Sequence, residues 1–283
     1  MSDERLVNWL FETNAVRVCP EGKPFWYTSG TIGPYYINTH FLYGSEKRAL
    51  ELLETIDAVK ADRINCPGRL FPVLEANYDS DVIYRGLIDS MIDFIGNNMN
   101  VDNIDYVSGG ERRDWFFSLL VSKGLGKPHI TLYKDLSAVV TENGETTTVD
   151  TINGARVLHI ADLITEASSY ERAWIPAINN ICGQMTESVV VVDRLQGGSE
   201  LLEKNEVCSF AMVSINKSFF DKALELRHID IGQYNMLMSY TADPHSSMKA
   251  FLTGHPEFLQ DALKADARTR ERAQLCIEKK IYN

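Results

Sequence analysis

Paired cysteines are missing from this sequence. Cys19, Cys66, Cys182, Cys208 and Cys276 are far apart, odd in number and form no CxxC. Neither a disulfide framework nor a cysteine-bound metal is expected, and such thiols suit a reducing compartment. No apolar run approaches the roughly 20 residues that span a bilayer. The opening Met1-Ser2-Asp3-Glu4-Arg5 is acidic and leads into an amphipathic stretch, so no signal peptide is expected and a cytoplasmic location is. Positive charge is also scarce: 28 basic against 39 acidic residues give a formal net charge of −11. That excludes a general electrostatic grip on nucleic acid, which needs clustered Lys and Arg, but not an anionic small ligand held by a few groups. The histidines have no ligand spacing, and no repeat, low-complexity tract or Pro/Gly/Ser-rich linker interrupts the chain. With 45% hydrophobic residues in 283, a substantial core is expected.

Helical spacing comes first in Leu6, Val7, Leu10 and Phe11 and again in Leu52, Leu53, Ile56 and Val59. Between them, Phe25-Trp26-Tyr27-Thr28-Ser29-Gly30 and Gly33-Pro34-Tyr35-Tyr36-Ile37-Asn38 read as an aromatic hairpin or ligand loop. Ile83, Leu87, Met91 and Ile95 predict a helix from Asp81 to about Met99. From residue 104 short apolar strands alternate with helices: strands at 104–107, 129–133, 156–161, 189–192 and 208–215, with helices at 115–121, 170–181 and around Leu201. Residues 136–153 read as a polar loop. Val189 to Val192 is nearly pure valine, as a strand covered on both faces should be. The rhythm predicts an α/β fold with a doubly wound, mainly parallel sheet. After Ile215 the pattern is helical, broken at Pro244 and Pro256, with a last helix over 262–280.

Ligands of open parallel sheets bind beyond the carboxyl ends of the strands. Here those ends read Ser108-Gly109-Gly110-Glu111-Arg112-Arg113, Lys134-Asp135, Asp162-Leu163-Ile164-Thr165 and Asp193-Arg194-Leu195-Gln196-Gly197-Gly198. Any one of these is an ordinary polar loop. Four of them on one rim favour a site.

The run Arg156-Val157-Leu158-His159-Ile160-Ala161-Asp162-Leu163-Ile164-Thr165 resembles the signature of the type I phosphoribosyltransferases. Within that family the pattern is most like the orotate phosphoribosyltransferases. Ser29-Gly30 with Pro34-Tyr35-Tyr36-Ile37-Asn38, Leu125-Gly126-Lys127-Pro128 and Asp193-Arg194 extend the likeness over residues 20–215. The resemblance implies a domain over 1–215 with an N-terminal hood (about 1–45); the helical pattern and the lack of a linker predict an extension, 216–283, packed on the core or at a dimer interface. It implies transfer of a 5-phosphoribosyl group from phosphoribosyl pyrophosphate to a pyrimidine base, orotate favoured, with Mg²⁺, in a homodimer. By the same resemblance Asp162 holds the ribose. Arg112, Arg113 and Lys134, beside Gly109 and Gly110, hold pyrophosphate. Ser168 and Ser169 stand in the 5′-phosphate turn, and Thr165, Arg194, Ser29, Gly30, Tyr35 and Tyr36 meet the base. An Arg fork matches a carboxylate such as that of orotate, and the tyrosines suit a flat ring.

The sequence also departs from the signature. Ala161 stands at its first acid, Glu166-Ala167-Ser168-Ser169 replaces a glycine-rich turn, and Thr28 stands where a Lys is usual. The segment matching the family's mobile loop, 136–150, has no Lys, Arg or His and carries Glu142, Glu145 and Asp150. These departures favour a second reading, a phosphoribosyltransferase fold that binds a base or nucleotide in a regulatory role. A related transferase using another base is a third.

Overall fold

The computed structural model describes residues 4–282. Met1, Ser2 and Asp3, within the stretch read above for a signal peptide, lie outside the described residues. Along the chain, α1 (Glu4–Glu12) is followed by four short strands, β1 (Val16–Val18), β2 (Phe25–Trp26), β3 (Ile32–Gly33) and β4 (Tyr35–Ile37). Three helices come next: α2 (Glu46–Val59), α3 (Cys66–Ser80) and α4 (Val82–Asn98). The strand-rich part runs β5 (Tyr106–Gly110), α5 (Trp115–Leu125), β6 (His129–Leu132), β7 (Ala138–Glu142), β8 (Glu145–Thr148), β9 (Arg156–Ile164), α6 (Ile175–Asn180), β10 (Gln184–Asp193), α7 (Gly198–Lys204) and β11 (Cys208–Ser214). Five helices end the chain: α8 (Lys217–Glu225), α9 (Ile231–Ala242), α10 (Pro244–Gly254), α11 (Pro256–Ala262) and α12 (Ala267–Glu278).

The chain divides into two compact units, one of residues 1–15 and 39–215, the other of residues 16–38 and 216–283. The aromatic segment placed above with the first 215 residues thus makes its compact unit with the C-terminal helices.

The first unit is built on a seven-stranded sheet in the order β11-β10-β9-β5-β6-β7-β8. From β11 through β6 neighbouring strands are parallel, and β7 and β8 are antiparallel additions. The mainly parallel sheet agrees with the sequence pattern. Val189 to Val192 are all fully buried in β10, the environment their composition predicts. Helix α5 packs on β5, β6 and β9. Every residue from Trp115 to Ser122 is buried, so this helix is enclosed on all sides. Tighter local signals place the other helices. Ser45 caps α2 by accepting from Arg48 N, and Asp81 caps α4 by accepting from Ile83 N and Tyr84 N.

Four features differ from the sequence pattern. Residues 136–153 are not a loop but contain the β7–β8 hairpin. Its turn is Asn143-Gly144, both at positive φ (51° and 82°), the pair that a two-residue primed turn requires. The β8 residues Glu145 to Thr148 are largely exposed because this strand is the sheet's edge. Helix α3 is an addition. Pro67 stands at its start, where no intrahelical N–H is needed, and Leu70, Leu74 and Asn77 form its buried face despite Pro72 in the interior. Strand β5 begins at Tyr106, since Val101–Asn103 form a 3₁₀ turn before it. The last helix starts at Ala267, where Asp266 caps it by accepting from Arg268 N and Thr269 N.

In the second unit, β1 pairs with β4 and β2 with β3, both antiparallel. The Trp26 ring stacks on Phe258 at 5.6 Å, and Tyr35 meets Phe220 and Tyr240 edge-on. Arg272 Nη1 donates to Trp26 O at 2.7 Å, and Tyr282 Oη accepts from Ile32 N at 3.0 Å. Helix α9 opens with a capping box between Asp230 and Gln233.

Candidate active site at the strand ends

A cleft of about 360 Å³ opens at the carboxyl ends of β5 and β9, within the first unit. One wall is the loop Glu111 to Asp114 with Lys134. The other is residues 161–170, with Trp174 behind them. Its size is that of a small-ligand pocket.

Two glycines in β5 are small because their neighbours leave no room. A Cβ on Gly109 would overlap Ser118, and one on Gly110 would overlap the Trp174 ring. Trp115 Nε1 donates to Gly109 O at 3.0 Å. Both glycines therefore support the cleft wall rather than line it. Trp174 is buried and cannot yield, so Gly110→Ala should lower stability by about 1–3 kcal/mol, read as a shift of the urea midpoint.

The basic loop is divided in its commitments. Arg112 pairs with Asp57 of α2, and Lys60 Nζ lies 3.0 Å from Glu111 Oε1 and 2.9 Å from Asp57. The peptide between Glu111 and Arg112 is cis. Glu111 also accepts from Lys134 N at 3.3 Å. Arg113 and Lys134 are exposed and form no ion pair among the described residues. The field of the two arginines is felt nearby: burial first, then Arg113 and Arg112, push His40 down to about 3.

Asp162 occupies the opposite side. Its Oδ2 is buried and has no hydrogen-bond partner in the structure. Burial, and next the Asp114 carboxylate, push the Asp162 carboxyl up from 3.8 to about 7, against the pull of Arg113. An unpartnered buried carboxylate oxygen on a residue that lines a cleft is costly by itself and is the pattern of a ligand-binding group.

The turn after β9 supplies hydroxyls from Thr165, Ser168 and Ser169, with Glu166 exposed beside them. Ala167 adopts positive φ (55°). The N–H groups of Glu166 and Ala167 donate to no described residue. Arg172 Nε donates to Ser168 O at 3.1 Å and its Nη2 to Ser168 Oγ at 3.2 Å. A turn with unused N–H groups, hydroxyls and an adjacent guanidinium is chemically an anion cradle.

The structure thus brings Arg112, Arg113, Lys134, Asp162, Thr165, Ser168 and Ser169 to one cleft. Arg194 is in the same unit but off the cleft's lining; its N–H donates to Ile164 O at 3.0 Å, and Ile164 lines the cleft. Asp193 accepts from Leu195 N and Ser199 Oγ, at 2.7 and 2.8 Å, and so shapes that loop. Ser29, Gly30, Tyr35 and Tyr36 belong to the second unit. There Ser29 Oγ bonds Thr31 Oγ1 at 2.6 Å, Gly30 has φ 85° against Leu275 and Cys276, and Tyr36 Oη donates to Trp26 O at 3.0 Å. Sequence reasoning passed over Asp114, Trp174 and Arg172. For Arg172 a signal existed, its placement four residues after Ser168.

The architecture was compared with solved structures. The UMP synthase of Leishmania donovani superposes with a TM-score of 0.57 at 17% identity, over 85% of this chain and 42% of that one. An orotate phosphoribosyltransferase from Francisella tularensis superposes at 0.53 and 14% identity, over 83% and 96%. The fold is that of the type I phosphoribosyltransferases. The chain spans less than half the length of the Leishmania protein. No protein-family model matches the sequence, and no curated protein does. In this phosphoribosyltransferase fold the cleft stands where open parallel sheets place their ligands. No helix among the described residues is long and apolar enough to cross a membrane.

Proposed function

We propose that this chain is a phosphoribosyltransferase acting on 5-phosphoribosyl pyrophosphate and a pyrimidine base, with orotate favoured. The observation that carries the reading is one cleft with the cations Arg112, Arg113 and Lys134 on one wall and the unpartnered Asp162 oxygen beside a hydroxyl-lined turn on the other. A ligand with phosphate at both ends and a diol between them matches that distribution.

In the reaction, the C1–O bond to pyrophosphate breaks, and pyrophosphate leaves with the bonding pair. A ring nitrogen of the base gives up its proton to solvent and forms the new bond to C1. Arg113 and Lys134 neutralise the charge that grows on the leaving group, and Arg112 joins them by leaving Asp57. Asp162 accepts from the ribose hydroxyls. The turn 165–169 anchors the 5-phosphate, and the contribution of these groups is chiefly placement. Arg194 and Thr165 take the base.

Among the described residues no cluster of His, Cys, Asp and Glu forms a metal cage. Mg²⁺ binds through one or two carboxylates plus phosphate oxygens. Asp162 has an oxygen to offer, whereas both Asp114 oxygens are taken by backbone N–H groups. When bound, Mg²⁺ supplies charge neutralisation on the pyrophosphate. The proposed setting is a homodimer in the cytoplasm, with small-molecule partners and neither nucleic acid nor membrane.

Calorimetric titration with orotate, and with phosphoribosyl pyrophosphate plus Mg²⁺, followed by a pyrophosphate-release assay, tests the reading. Turnover supports it. Base binding without turnover favours the regulatory role, to which the acidic hairpin at 136–150 and the Arg112–Asp57 pair lend weight. Binding of neither ligand rejects both. Arg194→Ala should weaken orotate by about 2–5 kcal/mol if its charge meets a buried carboxylate; unchanged affinity removes Arg194 from the base site.

A further inference from the structure

Asp114 stands at the N-cap of α5, where an aspartate ordinarily accepts N–H bonds from its own helix. It makes no such bond. Its carboxylate turns back to the sheet, with Oδ2 accepting from Gly110 N at 3.0 Å and Oδ1 from Asp162 N at 3.1 Å. Strands β5 and β9 are paired only from Tyr106↔Val157 to Ser108↔His159. Beyond that, β5 continues with β6 to Gly110↔Leu132, and β9 with β10 to Asp193↔Ile164. The sheet parts between β5 and β9, and the cleft lies where it parts. Buried N–H groups left by such a parting need acceptors. One carboxylate provides both. It is itself nearly buried, and His159 Nε2 lies 3.6 Å from Oδ2, with Nδ1 fixed by Ser108 Oγ at 2.9 Å.

We propose that Asp114 is a positioning residue that sets the spacing between the two anion-binding segments, residues 111–113 and 162–169. A single ligand with phosphate at both ends then engages the two together. The inference rests on the phosphoribosyl reading of the cleft. Asparagine at this position offers one acceptor oxygen to two N–H donors, so the strand ends lose their common tether while neither segment loses a ligand-binding group.

The test is calorimetry on the whole protein and on Asp114→Asn with three ligands: magnesium pyrophosphate, ribose 5-phosphate and magnesium phosphoribosyl pyrophosphate. The two fragments should bind within about threefold of wild type. The joined ligand, whose affinity depends on both segments being met at once, should bind about tenfold or more weaker. An unchanged joined ligand, or equal weakening of all three, overturns the proposal. If wild type binds none of them, the phosphoribosyl reading falls, and the tether is judged by amide exchange. The Gly110 and Asp162 N–H groups should exchange slowly in wild type and about tenfold faster in the variant. Exchange at the rate of open amides in wild type, or no change in the variant, overturns it. If Asp114→Asn does not fold, Asp114→Glu, which keeps two acceptor oxygens on a longer arm, should give the same split between fragments and joined ligand, and is read by the same criteria.

Discussion

Arg113→Ala combined with Lys134→Ala should lower affinity for magnesium pyrophosphate by roughly 10²–10⁴-fold. Each removes a charge-assisted hydrogen bond of about 1.5–3 kcal/mol, and both residues line the cleft with no ion-pair partner among the described residues. Arg112→Ala alone should cost less, because its guanidinium already pairs with Asp57 and must exchange one carboxylate for the ligand. Since Arg113 and Lys134 are exposed, the wild-type affinity should also fall with added salt, and the double variant should lose most of that dependence. Isothermal titration at two ionic strengths measures both. Retention of wild-type affinity in the double variant removes the pyrophosphate assignment from this loop.

Asp162→Asn should make the protein more stable at neutral pH while disabling the ribose site. The folded state holds the Asp162 proton more tightly than the unfolded chain does, with the carboxyl raised from 3.8 to about 7. Its contribution to stability is therefore complete below about pH 4 and is lost as the pH climbs toward 7. At about 1.4 kcal/mol per pH unit of difference, the loss is on the order of 2–4 kcal/mol. Asparagine carries no charge at either pH. The variant should match wild type in urea melts near pH 4 and exceed it by that amount at pH 8, while its affinity for phosphoribosyl pyrophosphate drops. Parallel pH profiles for the two proteins would show that Asp162 is not the titrating group. Natural chains retain such a destabilising group where a ligand needs it.

The parallel sheet and the charged residues at its strand ends were legible because each rests on local composition. Val189 to Val192 announces a strand buried on both faces, and the charged residues after β5, β6 and β9 stand directly behind apolar runs. The β7–β8 hairpin is masked in the sequence by the polarity of Glu142 to Thr148, although Asn143-Gly144 is a specific turn signal with Thr141 and Thr146 close on either side. Helix α3 was hidden by Pro67, Gly68 and Pro72, whose positions in the helix decide whether they break it. Asp114 reads from sequence as an ordinary helix cap. Its actual partners, Gly110 and Asp162, depend on where two strands separate, which no periodicity encodes. Likewise, nothing in residues 16–38 names the helices at 217–278 as their packing partners.

That last pairing has a consequence during synthesis. Roughly 180 residues are translated between Asn38 and the start of the helices that complete its unit. At typical elongation rates this is a delay on the order of 10–40 s. Throughout it Trp26 and Tyr35 lack Phe258, Phe220 and Tyr240, the rings that enclose them in the finished protein. Residues 16–38 therefore stay apolar and without their native cover until the helices that carry these rings have been made.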